Sequence, residues 1–171
     1  PSSGGTLEGL KRAAELGIAA MELEWVQRVP ENAEHVEDIG RVARELGITL
    51  TVHAPYYVNL NAKEKPKLDA SKKRVLQALT MGQICGAKSV CVHPAFYLGM
   101  EAEEVFNNVR RATEDIMERK EKCFPGVNLA FETMGKPSQF GTLEEVLMLS
   151  KEFGIYPCVD PAHLLLDRGL R

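Results

Sequence analysis

Four short apolar runs in this chain each stop at a side chain able to bind a metal ion. They read Thr-Val-His53-Ala-Pro, Cys-Val-His93-Pro, Ala-Phe-Glu132-Thr and Cys-Val-Asp160-Pro-Ala-His163. Imidazole nitrogens mixed with carboxylate oxygens suit zinc, or manganese and iron. Calcium takes oxygen donors, and a thiolate zinc knuckle needs paired cysteines. Glu132 stands between imidazoles on one side and Asp160 on the other. A carboxylate so placed can bridge two ions about 3.5–4 Å apart, an arrangement suited to phosphoryl displacement. One ion holds the attacking hydroxide and the other neutralises the leaving oxygen. Each residue alone has a plainer reading: a strand-end histidine is commonly a hydrogen-bonded structural residue, and Glu132 alone could act as a general base. The placements in series make metal binding the expectation.

Strand side chains alternate between faces. His53 therefore shares a face with Thr51, His93 with Cys91, Glu132 with Ala130, and Asp160 with Cys158. The opposite faces carry Leu50, Val52, Val90, Val92, Leu129, Phe131 and Val159. Small residues on the site-bearing face and bulky apolar ones behind it fit a βα barrel, whose active site sits at the C-terminal strand ends. Helices are expected between the strands: Leu7 to Leu16 with Thr6 as N-cap, Glu31 to Leu46, Pro66 to Cys85, Glu101 to Lys122, and one opened by the capping box Thr142-x-x-Glu145. A further strand is expected over Ile18 to Trp25. Its Glu22 and Glu24 share one face, and Glu24 lies at the mouth if that face looks inward; otherwise both are solvated or structural. Gly4-Gly5 reads as a turn, with phosphate cradling as the alternative. The segment after Gly135 reads as a loop.

Five strands are visible in 171 residues. A complete (β/α)8 TIM barrel takes about 250. The chain starts at Pro1, and the first loop and helix have no strand before them. The expectation is a single α/β domain over residues 1–171 holding strands two to six of such a barrel, with the N-terminal strand and the C-terminal βα units missing. An open doubly wound sheet is the alternative, but it gathers its site at one switch point.

Composition bounds the partners. A net charge of −3 argues against a surface built wholly as a nucleic-acid footprint and leaves room for a local basic groove. No apolar run approaches the roughly 18 residues of a membrane span, and no secretory signal pattern is present. Cys85, Cys91, Cys123 and Cys158 include no Cys-x-x-Cys pair and read as free thiols in a reducing, cytoplasmic compartment. Cys91 and Cys158 face the expected site, so a minor ligand role stays open.

The motifs His53-x-x-Tyr56-x-x-Asn59-Leu60, His93-Pro94, Glu132 with its Gly-and-Ser loop, and Cys158-x-Asp160-x-x-His163 resemble the endonuclease IV family of abasic-site endonucleases, within the xylose isomerase-like barrel superfamily. The resemblance runs from about Trp25 to His163. It implies a (β/α)8 barrel with three zinc ions (manganese or magnesium being the alternatives) that hydrolyses the phosphodiester 5′ to an abasic site in DNA. It also implies roles. His53, His93 and Glu132 would hold one zinc. Glu132 would bridge to a second that takes Asp160, and His163 would help hold the third. Tyr56 would pack into the gap where a base is missing, Asn59 would contact substrate, and Arg28, beside Gln27, would fall in a DNA-probing loop. The family's remaining ligands lie on strands seven and eight, beyond this chain. Sugar isomerases and epimerases of the same superfamily use a Glu and an Asp on successive strands, which Glu132 and Asp160 fit equally well. A small sugar is then the alternative substrate.

Overall fold

The computed structural model describes residues 4–167, so Pro1 to Ser3 of the expected N-terminal loop lie outside the described residues. In chain order the strands are β1 (Ala20–Glu24), β2 (Thr49–His53), β3 (Ser89–Val92), β4 (Ala95–Phe96), β5 (Asn128–Glu132), β6 (Gln139–Phe140) and β7 (Tyr156–Cys158). The helices are α1 (Thr6–Glu15), α2 (Ala33–Glu45), α3 (Lys65–Cys85), α4 (Ala102–Cys123), α5 (Leu143–Phe153) and α6 (Pro161–Asp167). The main sheet is parallel and runs β1-β2-β3-β5-β7, in chain order without a reversal. Right-handed crossovers that always step in one direction leave every connecting helix on the same face. Contacts pass along the row α1–α2, α2–α3, α3–α4 and α4–α5 accordingly. A doubly wound sheet would reverse direction midway, so the arrangement is a barrel segment.

The helix-facing side of the sheet is the core. Leu50, Val52, Val90, Val92, Leu129 and Phe131 are each at most 3% exposed. They are the bulky partners of the site-bearing residues under strand alternation. Register keeps the strand ends in step: Glu24 pairs with His53, His53 with Cys91, and Glu132 with Cys158.

Several local expectations change. Gly5, not Thr6, is the N-cap of α1, and it makes no side-chain cap. Asn32 caps α2 by accepting from the His35 N–H at 3.1 Å. Strand β7 stops at Cys158, so Asp160 lies beyond the strand, because α6 starts at Pro161 and a proline suits the first helical position. The loop after Gly135 contains β6, which pairs antiparallel with β4: Ala95 with Phe140, and Phe96 with Gln139. Among the described residues no helix is long and apolar enough to cross a membrane.

Helices α2 and α3 meet at Gly40. A Cβ there would lie 2.3 Å from the Cys85 carbonyl oxygen and 2.7 Å from its Cα. In a free helix Gly→Ala gains up to about 1 kcal/mol. Here the obstacle is backbone, and overpacking costs typically about 1–3 kcal/mol. Gly40→Ala is therefore expected to lower the unfolding free energy by about 2 kcal/mol in denaturant titration. A gain in stability would mean that the helix contact is soft.

Candidate metal centre

Glu132 ends β5 as a buried carboxylate, 7% exposed, with both oxygens engaged. Its Oε2 lies 3.1 Å from His53 Nε2 and 3.0 Å from His93 Nε2. Its Oε1 lies 3.2 Å from His163 Nδ1. Two groups of donors result, His53–His93–Glu132 and Glu132–Asp160–His163, and within each the ligand atoms lie within 4.8 Å of one another. Glu132 belongs to both.

Backbone acceptors orient the imidazoles. His53 Nδ1 sits 2.7 Å from the Ala54 carbonyl, which accepts its proton. His53 Nε2 then presents a lone pair to the Glu132 carboxylate, and two acceptors face each other. That contact requires a cation between them, either a proton or a metal ion. An outer hydrogen bond of this kind is the usual companion of a ligating histidine. His163 differs: the same Nδ1 that faces Glu132 and Asp160 lies 2.8 Å from the Thr133 carbonyl, so it can ligate a metal only with its proton moved to Nε2. Asp160 divides its oxygens. Oδ1 accepts from the N–H groups of Ala162 and His163 at 2.7 and 3.2 Å and so caps α6. Oδ2 faces His163 Nδ1 at 3.5 Å.

Charge follows this geometry. Burial alone would raise the Glu132 pKa, but hydrogen bonds from His53 and His93 hold it well below the usual carboxylate range. Burial alone would lower the pKa of His53. The Glu132 and Ala54 hydrogen bonds outweigh it and leave His53 above 6.5. Glu22 shifts up, chiefly through burial, with Glu132 and Glu24 adding to the effect.

The cavity over these groups measures about 620 Å³. His53, His93, Glu132, Asp160, His163 and Tyr56 all line it. Tyr56 is 46% exposed, its ring centroid 5.0 Å from that of His53 and 5.1 Å from that of His93. Two residues expected at the site do not line it. Asn59 is a loop staple: its Oδ1 accepts from the Asn61 and Phe96 N–H groups at 3.0 and 3.4 Å, because the chain after β2 must be tied to the chain after β3. Arg28 points outward and pairs with Glu31 at 2.6 Å, its side chain 73% exposed. Glu22 and Glu24 do line the cavity, with their shared face inward. Thr133 was not anticipated. Fully buried, it accepts from the Asp160 N–H on Oγ1 at 2.9 Å and from His163 on its carbonyl. No spacing signal marks it, since its partners lie some thirty residues downstream.

The parallel strand order, the one-sided helices and the donors gathered at the strand ends define a (β/α)-barrel protein with a metal-capable centre. The chain belongs to the xylose isomerase-like TIM barrel family, whose model matches residues 10–169. It is 36% identical over 152 residues to an uncharacterized protein of Methanocaldococcus jannaschii, covering 88% of this chain and 54% of that one. It is 31% identical over 100 residues to a probable endonuclease 4 of Shouchella clausii, covering 57% of this chain and 33% of that one. Among solved structures it resembles D-psicose 3-epimerase from Clostridium cellulolyticum (TM-score 0.80, 15% identity, 96% of this chain and 61% of that one). It resembles endonuclease IV from Thermus thermophilus to a similar degree (TM-score 0.77, 20% identity, 97% and 61%). The chain thus spans about half the length, or less, of these curated relatives.

The raised pKa of His53 sets a pH dependence. Metal binding requires the neutral imidazole, so a proton must leave. Zinc affinity is expected to fall as pH drops through a value above 6.5, with proton release on binding. Chelator competition in buffers of different ionisation enthalpy measures both. An affinity flat between pH 8 and 6 would remove His53 from the ligand set.

Proposed function

We propose that this chain carries the metal centre of an enzyme that hydrolyses the phosphodiester 5′ to abasic sites in DNA, with His53, His93, Glu132, Asp160 and His163 as zinc ligands. One observation carries the reading. Oε2 of Glu132 faces His53 and His93 at 3.1 and 3.0 Å, while Oε1 faces His163 at 3.2 Å. A carboxylate with one oxygen turned to each donor group is built as a bridge between two ions. Zinc bound there would supply a hydroxide at neutral pH and charge to neutralise the leaving oxygen. The chain's own residues do the positioning. The Ala54 carbonyl keeps the proton of His53 on Nδ1 and leaves Nε2 for a metal. Capping of α6 by Oδ1 of Asp160 turns Oδ2 to the site. The ring of Tyr56 stands exposed over both imidazoles, where it would pack into the gap left by a missing base. The likeness to a probable endonuclease 4 supports this reading. Free cysteines fit a reducing, cytoplasmic setting.

A second reading, a divalent-metal sugar isomerase or epimerase, has its own observation. Four carboxylates line the cavity (Glu22, Glu24, Glu132 and Asp160), and no lysine or arginine is among the described residues there. Sugar hydroxyls donate to carboxylates, whereas a phosphodiester is repelled by those the metal does not neutralise.

Duplex DNA with one abasic site distinguishes the two. The full-length gene product is expected to nick it 5′ to the lesion and leave a 3′-hydroxyl. Glu132→Gln is expected to lose roughly 10³-fold or more in rate, since losing a bridging ligand forfeits several kcal/mol. Its circular dichroism should be unchanged. Zinc binding without nicking would transfer the centre to the sugar reading, tested next on ketoses.

A further inference from the structure

Residues 55–58 form a β-turn just beyond β2, closed by the Val58 N–H donating to the Pro55 carbonyl at 3.3 Å. Pro55 and Val58 are buried and anchor its two ends. Tyr56 and Tyr57 are its central residues, and both are exposed. The ring of Tyr56 lies against His53 and His93, and its hydroxyl makes no hydrogen bond among the described residues. Its placement therefore follows from the backbone that carries it.

Tyr57 fixes that backbone. Its hydroxyl donates to the Gln27 carbonyl in the loop after β1, and the Arg74 guanidinium of α3 lies 4.8 Å from its ring centroid. A cation over the ring is attracted to its π face. It also draws electron density from the hydroxyl, which makes the O–H a stronger donor. The Tyr56 N–H donates to the Val26 carbonyl at 3.2 Å. The turn is thus tied to two successive carbonyls of one loop, and buried Trp25 and Val29 pin that loop on either side. In a two-residue turn the central residues share one peptide plane, so a rotation of that plane swings both side chains. Tyr57, Gln27 and Arg74 do not line the cavity. Their effect on it passes through Tyr56.

We infer that Tyr57 is the positioning residue for Tyr56: clamped between Gln27 and Arg74, it holds the turn so that the Tyr56 ring stays over the two imidazoles. A ring already in place costs less to order when substrate arrives. The clamp therefore lowers KM and leaves the metal donors, and with them kcat, alone. Its effect on DNA rests on the function proposed above, whereas its effect on Tyr56 stands without it.

Fluorine NMR of the full-length gene product labelled with fluorotyrosine tests the placement without substrate. Tyr56→Phe assigns the Tyr56 signal, and zinc is expected to shift it, since the ring lies over both imidazoles. Tyr57→Phe keeps a ring beneath Arg74 and removes only the bond to Gln27. It is expected to move the Tyr56 signal toward its position in the unfolded chain and to shrink the zinc shift, with zinc affinity unchanged. On duplex DNA with one abasic site, KM should rise about fivefold, the factor one net hydrogen bond carries, with kcat unchanged. In a Tyr56→Ala background Tyr57→Phe should have no further effect, because the two residues act as a unit. A Tyr56 signal unmoved by Tyr57→Phe overturns the inference. So does a zinc affinity that falls in that variant, or a KM effect that persists in the Tyr56→Ala chain. If the parent nicks no DNA, the function above fails and the fluorine signal alone decides the positioning. Should Tyr57→Phe not fold, Arg74→Met, which removes the cation, takes its place with the same expected direction and the same overturning results.

Discussion

A single carboxylate, Glu132, is shared by three imidazoles from three separate segments. Burying an anion at 7% exposure is costly unless charge and hydrogen bonds compensate it. Here His53 and His93 approach one oxygen and His163 the other. These contacts require β2, β3 and β5 to end at the same height. Parallel pairing in chain order supplies that, since Cys91 pairs with Ala130 and His53 pairs with Cys91. The apolar outer face then follows, because period-2 alternation forces the neighbours of each site residue towards the helices.

The polypeptide just beyond Glu132 shows how tightly the centre is built. Thr133 binds both Asp160 and His163, so the second donor group hangs from the residue next to Glu132. Gly141, at φ 135°, lets the β6 loop fold back, where a Cβ would lie 2.9 Å from the Glu132 carbonyl oxygen. Only glycine adopts that backbone readily. The capping box of Thr142 and Glu145 starts α5 immediately afterwards, and Tyr97 donates to Glu145 from the β4 side at 2.7 Å. Loop, cap and strand pair together hold the barrel mouth around Glu132.

The barrel itself does not choose the chemistry. An epimerase and an endonuclease match it with TM-scores of 0.80 and 0.77, which sets no preference between them. Discrimination has to come from side chains. Two features of this cavity pull in different directions: the carboxylate bridging two donor groups, and the acidic pair Glu22 and Glu24 on β1. The first belongs to the floor of the cavity and the second to its wall.

The five parallel strands, the in-or-out sense of β2, β3 and β5 and the metal-capable side chains at their ends were legible in the sequence itself, whereas the β4–β6 pair was not. Alternation is a local property of extended backbone, and the runs ending at His53 and Glu132 express it directly, whereas His93 and Asp160 fall just past their strands and Val159, expected on the apolar outer face, is exposed and lines the cavity. The capping box and the glycine stops of α3 and α5 were legible for the same reason, since a few adjacent residues decide them. Tertiary structure alone decided the rest. Asn59 and Arg28 carry suitable chemistry, but the chain after β2 uses Asn59 as a staple, and Arg28 turns outward to Glu31. Thr133 became a hub because β7 delivers Asp160 and His163 beside it. The two oxygens of Glu132 were divided between donor groups by strand register. A side chain's partners across a parallel sheet lie tens of residues away, and no local pattern records which atoms will meet.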